Sequence, residues 1–430
     1  MSFRNLIKGI RRNELIKVFS ITAISTSVKI LTGFVSLKII AIILGPSGIA
    51  LIGQLNNLNT IILAVASAGI NQGVTKYISE YKAVQEELKK FIKASFQITL
   101  IFSMSAGILL IILSEILSKE ILKSPKFNYV FILFGCVIVL HALNNLMLSI
   151  VNGFKEYTKY VKINIVNSVI GLFFTVGLVY FWELKGALIS FISYQSIMFF
   201  ITYWVLRKEK WISFLKFNWR FDKNIYKKYF QYTLMSITTA ATIPISQLYI
   251  RSYVISNISL EDAGYWESMN KFSAMYLMII TSSLSVSFLP KLAEIKTDRE
   301  LRREILKAYK IILPFLLLAM IVIYNLRFLI IRILFNESFS PMSVLFKYQL
   351  IGDFLKIASW LIAFVMVAKS MTKRFVITEV LSSISFVFLA IHFTRVKGLI
   401  GVTQAYTLNY GLYLVTLIFL FRKLVFSVNK

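Results

Sequence analysis

Residues 207–228 read RKEKWISFLKFNWRFDKNIYKK, eight Lys or Arg against two acidic residues, almost midway along a chain of 430 residues that otherwise consists mostly of apolar runs. A basic segment between apolar segments belongs on the cytoplasmic side of a membrane, where anionic head groups attract it and where moving several cations across is costly. That placement orients everything on either side of it. It divides the chain into an N-terminal lobe, 1–206, a basic linker, 207–228, and a C-terminal lobe, 229–430. The stretch itself is open to two readings, a solvated connector or a surface that meets anionic lipid or a cytoplasmic partner.

Composition agrees with a membrane. With 57% apolar and 16% charged residues and a mean hydropathy of +0.72, the chain lies outside the range of soluble globular domains. A formal net charge of +28 would suggest nucleic acid in a soluble protein. Here the cations cluster in short loops between apolar runs, so they read as topological signal, and no nucleic-acid partner is expected. The one cysteine, Cys136, lies in an apolar run and offers neither an intrachain disulfide nor a thiolate metal site. Two histidines, His141 and His392, are too few for the usual zinc and His-dependent catalytic constellations. The expectation is therefore no metal, no cofactor and no catalytic residue. Arg4, Lys8, Arg11, Arg12 and Lys17 alternate with apolar residues ahead of a run too long for a signal-peptide core, which reads as an amphipathic cytoplasmic lead-in.

A helix needs about 20 largely apolar residues to cross the hydrocarbon core. By that measure the sequence predicts an all-α polytopic protein of twelve spans, near 18–44, 49–74, 94–115, 128–151, 160–181, 186–206, 230–255, 264–289, 308–331, 343–368, 374–394 and 398–421. Gly45-Pro46-Ser47-Gly48, Ser124-Pro125, Gly153, Glu261-Asp262-Ala263-Gly264, Pro290 and Pro341 fall at proposed ends. Lys and Arg concentrate in the segments that are cytoplasmic if both termini are inside, which sets that orientation. The outward loops are all short, leaving no room for a catalytic domain there. No GxxxxGK[ST] pattern occurs, so ATP hydrolysis is not expected.

The halves echo each other. LGPSGIALIGQLNNL (44–58) and SLEDAGYWESMNKF (259–272) are both short outward turns leading into polar-flecked helix starts, and aligning Gly48 with Gly264 gives an offset of 216, half the chain. Six spans per half is an even number, so the repeats run in the same direction. Two six-helix lobes facing a central cavity is the architecture this predicts.

Ionisable groups near the bilayer centre cost roughly 2.5–3.5 kcal/mol on insertion scales and so point to a pathway or a pair. In the first span Thr22, Ser25, Lys29, Thr32 and Ser36 share one face; it either lines something wet or joins helices with Lys29 held by carbonyls. Thr239, Thr242, Ser246, Tyr249 and Tyr253 repeat the pattern in the seventh, with Arg251 off the stripe, lining a cavity or snorkelling outward. Glu267 and Lys271 are an i, i+4 pair. His141, Asn145, Ser149 and Asn152 share a face of the fourth span, with Asn144 beside it, and Asn164, Asn167 and Ser168 follow in the fifth; they either join helices or suit sugar hydroxyls. Asp353 and Lys356, one turn apart at mid-span, predict a local ion pair, static or switchable by protonation. Glu379 sits near the inner, wetted end of the eleventh span.

The stretch YQLIGDFLKIASWLIAFVMVAKSMTKRFVITEVLSS (348–383), together with LGPSGIALIGQL, SAGINQGVTKYISEY (67–81) and SLEDAGYWESMNKFS, resembles bacterial O-antigen translocases of the lipid III flippase type. These form the polysaccharide branch of the multidrug/oligosaccharidyl-lipid/polysaccharide exporter superfamily. The resemblance covers nearly the whole chain. It implies a flippase of the bacterial inner membrane that moves undecaprenyl-pyrophosphate-linked oligosaccharide from the inner to the outer leaflet by alternating access. It also implies polymerase and chain-length proteins of the same pathway as partners. On that reading Lys29, Arg251 and Lys356 are head-group cations, Ser25, Asn145, Thr242 and Ser246 face the glycan, and Asp353, Glu267, Lys271 and Glu379 serve coupling or ion pairing. A multidrug or cation antiporter should instead carry an acidic site, whereas these spans hold more Lys and Arg than Asp and Glu. A membrane glycan polymerase or ligase should carry a sizeable outward loop.

Overall fold

The computed structural model describes residues 14–215, 222–284 and 288–422; the lead-in 1–13 and residues 216–221 of the basic stretch lie outside the described residues, as do the side chains of Thr22 and Thr239. Among the described residues the secondary structure is helical, with no strand. Helix α1, Glu14–Ala66, is broken once, at Gly45 (φ 63°, ψ −167°), a conformation that glycine reaches without a Cβ penalty. Pro46 follows, where a helix restarts and a missing N–H costs nothing. The expected second span ends early, at Ala66. Ala68 (φ 48°) and Gly69 (φ 63°) turn the chain there, and a separate amphipathic helix α2, Asn71–Tyr81, begins.

Next come α3, Gln85–Ile112, the short α4, Ser114–Ile121, α5, Asn128–Gly153, and α6, Tyr157–Leu206, which is broken at Glu183 (φ 45°, ψ −125°). The second half runs α7, Lys223–Asn257, α8, Leu260–Ser283, α9, Leu289–Glu294, α10, Asp298–Asn325, and α11, Arg327–Leu334. It closes with α12, Phe346–Ala368, α13, Thr372–Lys397, and α14, Leu399–Leu420. With α1 and α6 counted twice, the long helices among the described residues make twelve segments, as the apolar runs predict. Seven described helices are long and apolar enough to cross a membrane. Helices α7, α8 and α14 are not among them, because polar side chains interrupt their apolar stretches. These three carry Arg251, Glu267 and Tyr406.

The repeat is visible in the backbone. Lys155 (φ 62°) and Ser370 (φ 54°), 215 residues apart, reverse the chain after α5 and α12. In both places an N–H reaches five residues back, from Glu156 to the Val151 carbonyl at 3.2 Å and from Met371 to the Met366 carbonyl at 2.7 Å. Glu183 (φ 45°) and Gly398 (φ 61°), again 215 apart, open the last long segment of each half. Three residues on, a Cβ on Gly186 would lie 1.8 Å from the Leu178 carbonyl oxygen, and one on Gly401 2.2 Å from that of Phe393. Only glycine allows so close an approach.

Two compact units result. One holds the chain up to Ile43 and Gln54–Ala241, the other Leu44–Gly53 and the chain from Thr242 on. In the first, Ile78, Phe91, Ile92, Ile98, Leu146 and Ile150 form a core that Tyr229 joins, its hydroxyl donating to the Phe91 carbonyl at 3.1 Å. Gly107 and Gly135 let α3 and α5 touch backbone to backbone: a Cβ on either would lie 2.6 Å from the other's carbonyl oxygen. Lipid tails are as apolar as leucine, so such small-residue contacts hold helices together where the hydrophobic effect does not. In the second unit Leu292, Leu361, Met366 and Leu417 form one cluster, and Ala50, Ile250, Trp266 and Val402 another.

Candidate functional site

The second unit buries its charges in two clusters. Asp353, on α12, is fully buried. Its neighbour Gly352 packs against the ring of Tyr406, where a Cβ would come within 2.3 Å of Cδ1, so α14 approaches closely enough for the Tyr406 hydroxyl to donate to Asp353 Oδ1 at 2.8 Å. Ser273 Oγ donates to Oδ2 at 2.6 Å, the Tyr276 hydroxyl donates to the same oxygen, and Gln349 Nε2 reaches Oδ1 at 3.4 Å. Four donors thus replace the water a buried carboxylate would lose.

Those donors change the expected partnership. Asp353 and Lys356 do not form the predicted ion pair; Lys356 instead rests among aromatic faces, its ammonium 5.1 Å from the centroid of Trp360, 5.6 Å from Tyr410 and 6.0 Å from Tyr406. Rings draw a cation by their negative faces. Lys356 makes no hydrogen bond or ion pair among the described residues. Its side chain lines a cavity of about 140 Å³, together with Ser246, Glu379, Asn409 and Tyr410. Glu379, on α13, is half-buried and accepts from the Tyr413 hydroxyl at 2.6 Å.

The second cluster joins α7 to α8. Arg251 is fully buried and donates to Glu267, itself buried; snorkelling is thereby overturned, because a buried carboxylate holds the guanidinium inside. The Arg251 guanidinium also lies 5.5 Å from the Trp266 centroid. Glu267 and Lys271 are a secondary pair at 3.9 Å, with the Lys271 side chain a quarter exposed. Gly53 makes room for all of this, since a Cβ there would lie 2.6 Å from Glu267 Cδ.

The other predicted residues are dispersed. Ser246 is buried and bonds back to the Thr242 carbonyl at 3.1 Å, so its place on the cavity wall is set by its own helix. Thr242 is half-buried. Tyr249, on the same predicted stripe, is 58% exposed. In the first unit Lys29 is exposed and Ser25 and Asn145 are half-buried, while the neighbouring Asn144 and His141 are buried. Sequence reasoning passed over Ser273, Tyr276, Gln349, Tyr406, Asn409, Tyr410 and Tyr413. A signal was present for three of them: Tyr406, Tyr410 and Tyr413 recur at i, i+4, i+7, one face of a helix.

Twelve long helical segments among the described residues, with seven helices long and apolar enough to cross a membrane and charged and tyrosine-rich clusters buried among them, define a polytopic membrane protein. The fold is shared with an inward-facing multidrug resistance MATE family transporter of the MOP superfamily, at a TM-score of 0.75 and 14% identity over 93% of this chain and 96% of that one. It is shared also with the lipid II flippase MurJ in an inward closed conformation, at 0.69 and 16%, over 95% and 87%. The chain belongs to the polysaccharide biosynthesis protein family, which it matches over residues 39–344. It is similar to the lipid III flippase of Escherichia coli (strain K12), 28% identical over 394 residues that cover 91% of this chain and 94% of that protein.

Proposed function

We propose that this chain is a flippase for lipid-linked oligosaccharides. It carries an undecaprenyl-pyrophosphate-linked repeat unit from the inner to the outer leaflet of a bacterial inner membrane, by alternating access, with both termini and the basic stretch 207–228 cytoplasmic. The observation that carries this reading is Lys356. A lysine held in a polar cavity by ring faces keeps its three N–H donors for an incoming acceptor. A phosphate oxygen is such an acceptor, whereas Glu379 on the same wall already accepts from the Tyr413 hydroxyl. Arg251, neutralised by Glu267, contributes to structure in this state, and Lys29 remains a second exposed cation. Asn409, Ser246, Ser382 and Gln247 supply donors and acceptors for sugar hydroxyls on the same wall.

The test is reconstitution of the full chain in sealed proteoliposomes loaded on one leaflet with an undecaprenyl-pyrophosphate oligosaccharide, its appearance on the other read by an impermeant glycan-modifying enzyme. Exposure that requires the protein and falls with Lys356→Gln supports the flippase. No exposure in preparations that exchange organic cations would transfer the chain to the drug-exporter class.

A further inference from the structure

The repeat carries the C-terminal cavity onto the other unit. Subtracting 215, the offset fixed by the paired left-handed residues and the paired glycines, from Lys356, Glu379, Ser382, Asn409 and Tyr410 gives His141, Asn164, Asn167, Tyr194 and Gln195. All five are polar, and none is an acid, a lysine or an arginine. The amide groups are joined: Asn144 Nδ2 donates to Gln195 Oε1 at 3.3 Å and Gln195 Nε2 to the Tyr194 hydroxyl at 2.5 Å, linking α5 to the second segment of α6. His141 is 5% exposed, Asn144 0% and Asn167 7%. His141 Nδ1, Asn144 Oδ1 and Asn167 Oδ1 nevertheless have no hydrogen-bond partner among the described residues.

Buried acceptors without donors are costly. Their counterparts in the other unit are Lys356, Ser359 and Ser382; Lys356 and Ser382 line the cavity already described, where Asn409 Nδ2 donates to Ser382 Oγ at 3.1 Å. We infer that the N-terminal unit holds a subsite for an uncharged sugar, in which hydroxyl and N-acyl N–H groups of one pyranose donate to Asn144, Asn167 and His141. The inference rests on the flippase reading and deepens it. The repeat has been specialised: the same positions carry uncharged side chains in one unit and, in the other, Lys356 together with Glu379. An anionic group is disfavoured in the first, because the unpartnered amide oxygens there would repel it.

The test uses the full chain in lipid nanodiscs and saturation-transfer NMR, with N-acetylglucosamine and inorganic diphosphate as separate probes. The expected result is an N-acetylglucosamine signal that falls about tenfold, the loss of one good hydrogen bond, in Asn144→Leu or Asn167→Leu and is unchanged in Lys356→Gln. Diphosphate should show the opposite dependence. Where a leucine variant loses its monodisperse elution, Asn144→Ser and Asn167→Ser, which install the residues found at the repeat positions Ser359 and Ser382, take its place. No sugar signal in the wild type, or one insensitive to Asn144 and Asn167, would overturn the subsite and show that these amides only join helices. Flipping by the same wild-type preparation separates the two claims: if it flips while sugar binding ignores these residues, the subsite falls and the flippase stands. If it does not flip, the flippase reading falls whatever the sugar signal.

Discussion

Arg251 donates to Glu267 across α7 and α8 with both side chains buried, beside a glycine, Gly53, that leaves no room for a methyl group. Removing one partner of such a pair strands the other charge, at a typical cost of about 3–5 kcal/mol, whereas replacing both by apolar residues of similar volume is far milder. Glu267→Gln should therefore lower the thermal unfolding temperature in detergent more than the double variant Arg251→Met with Glu267→Leu. A double variant as unstable as the sum of the singles would remove the argument.

The carboxylate of Asp353 depends on its four donors. Tyr276→Phe and Tyr406→Phe should each destabilise by about 1–3 kcal/mol, the penalty for leaving a buried acceptor short of a donor. Together they should depart from additivity, since both bonds end on one carboxylate. Denaturation of the two singles and the double reads this directly, and strict additivity would count against a shared network.

Two of the three predicted cations, Lys356 and Arg251, should separate by assay. Lys356→Gln is expected to slow flipping tenfold or more, about 1.4 kcal/mol in barrier height, in protein of normal abundance. Arg251→Gln should instead show as loss of monodisperse protein, because its charge is committed to Glu267. Equal transport defects in the two, at equal stability, would mean that both cations meet the cargo.

Glycines at matching repeat positions should fail alike. Gly186→Val and Gly401→Val drive a side chain into the Leu178 and Phe393 carbonyls and should abolish stable expression. Gly177→Ala, with nothing within 4 Å of the new Cβ, should stay within about 0.5 kcal/mol of the parent. Tolerance at Gly401 but not Gly186 would show that the shared geometry has unequal importance.

Much of this fold could be read from apolar run length. The break at Glu183 falls between the predicted fifth and sixth spans, and the Gly45 turn falls where Gly-Pro-Ser-Gly marked it. The end at Ala66 was not legible, because the following Ser-Ala-Gly-Ile is as apolar as a span and only its left-handed backbone stops the helix. In the site, the sequence marked Asp353 and Lys356 by their cost in an apolar helix. It could not pair them correctly. Spacing along one helix puts them a turn apart, but the donors that claim Asp353 come from α8 and α14, and tertiary partners of that kind leave no mark in local periodicity.

The division of the chain into units does not follow its order. The N-terminal half lends residues 44–53 to the later unit, and α7 begins in the earlier one, which extends to Ala241. A protease nick within 207–228 would therefore not release two self-sufficient pieces. Each fragment would carry a segment that completes the other, Pro46 against Gly264 in one direction and Tyr229 on Phe91 in the other, so that refolding would proceed by complementation between fragments, on the logic of a reciprocal swap.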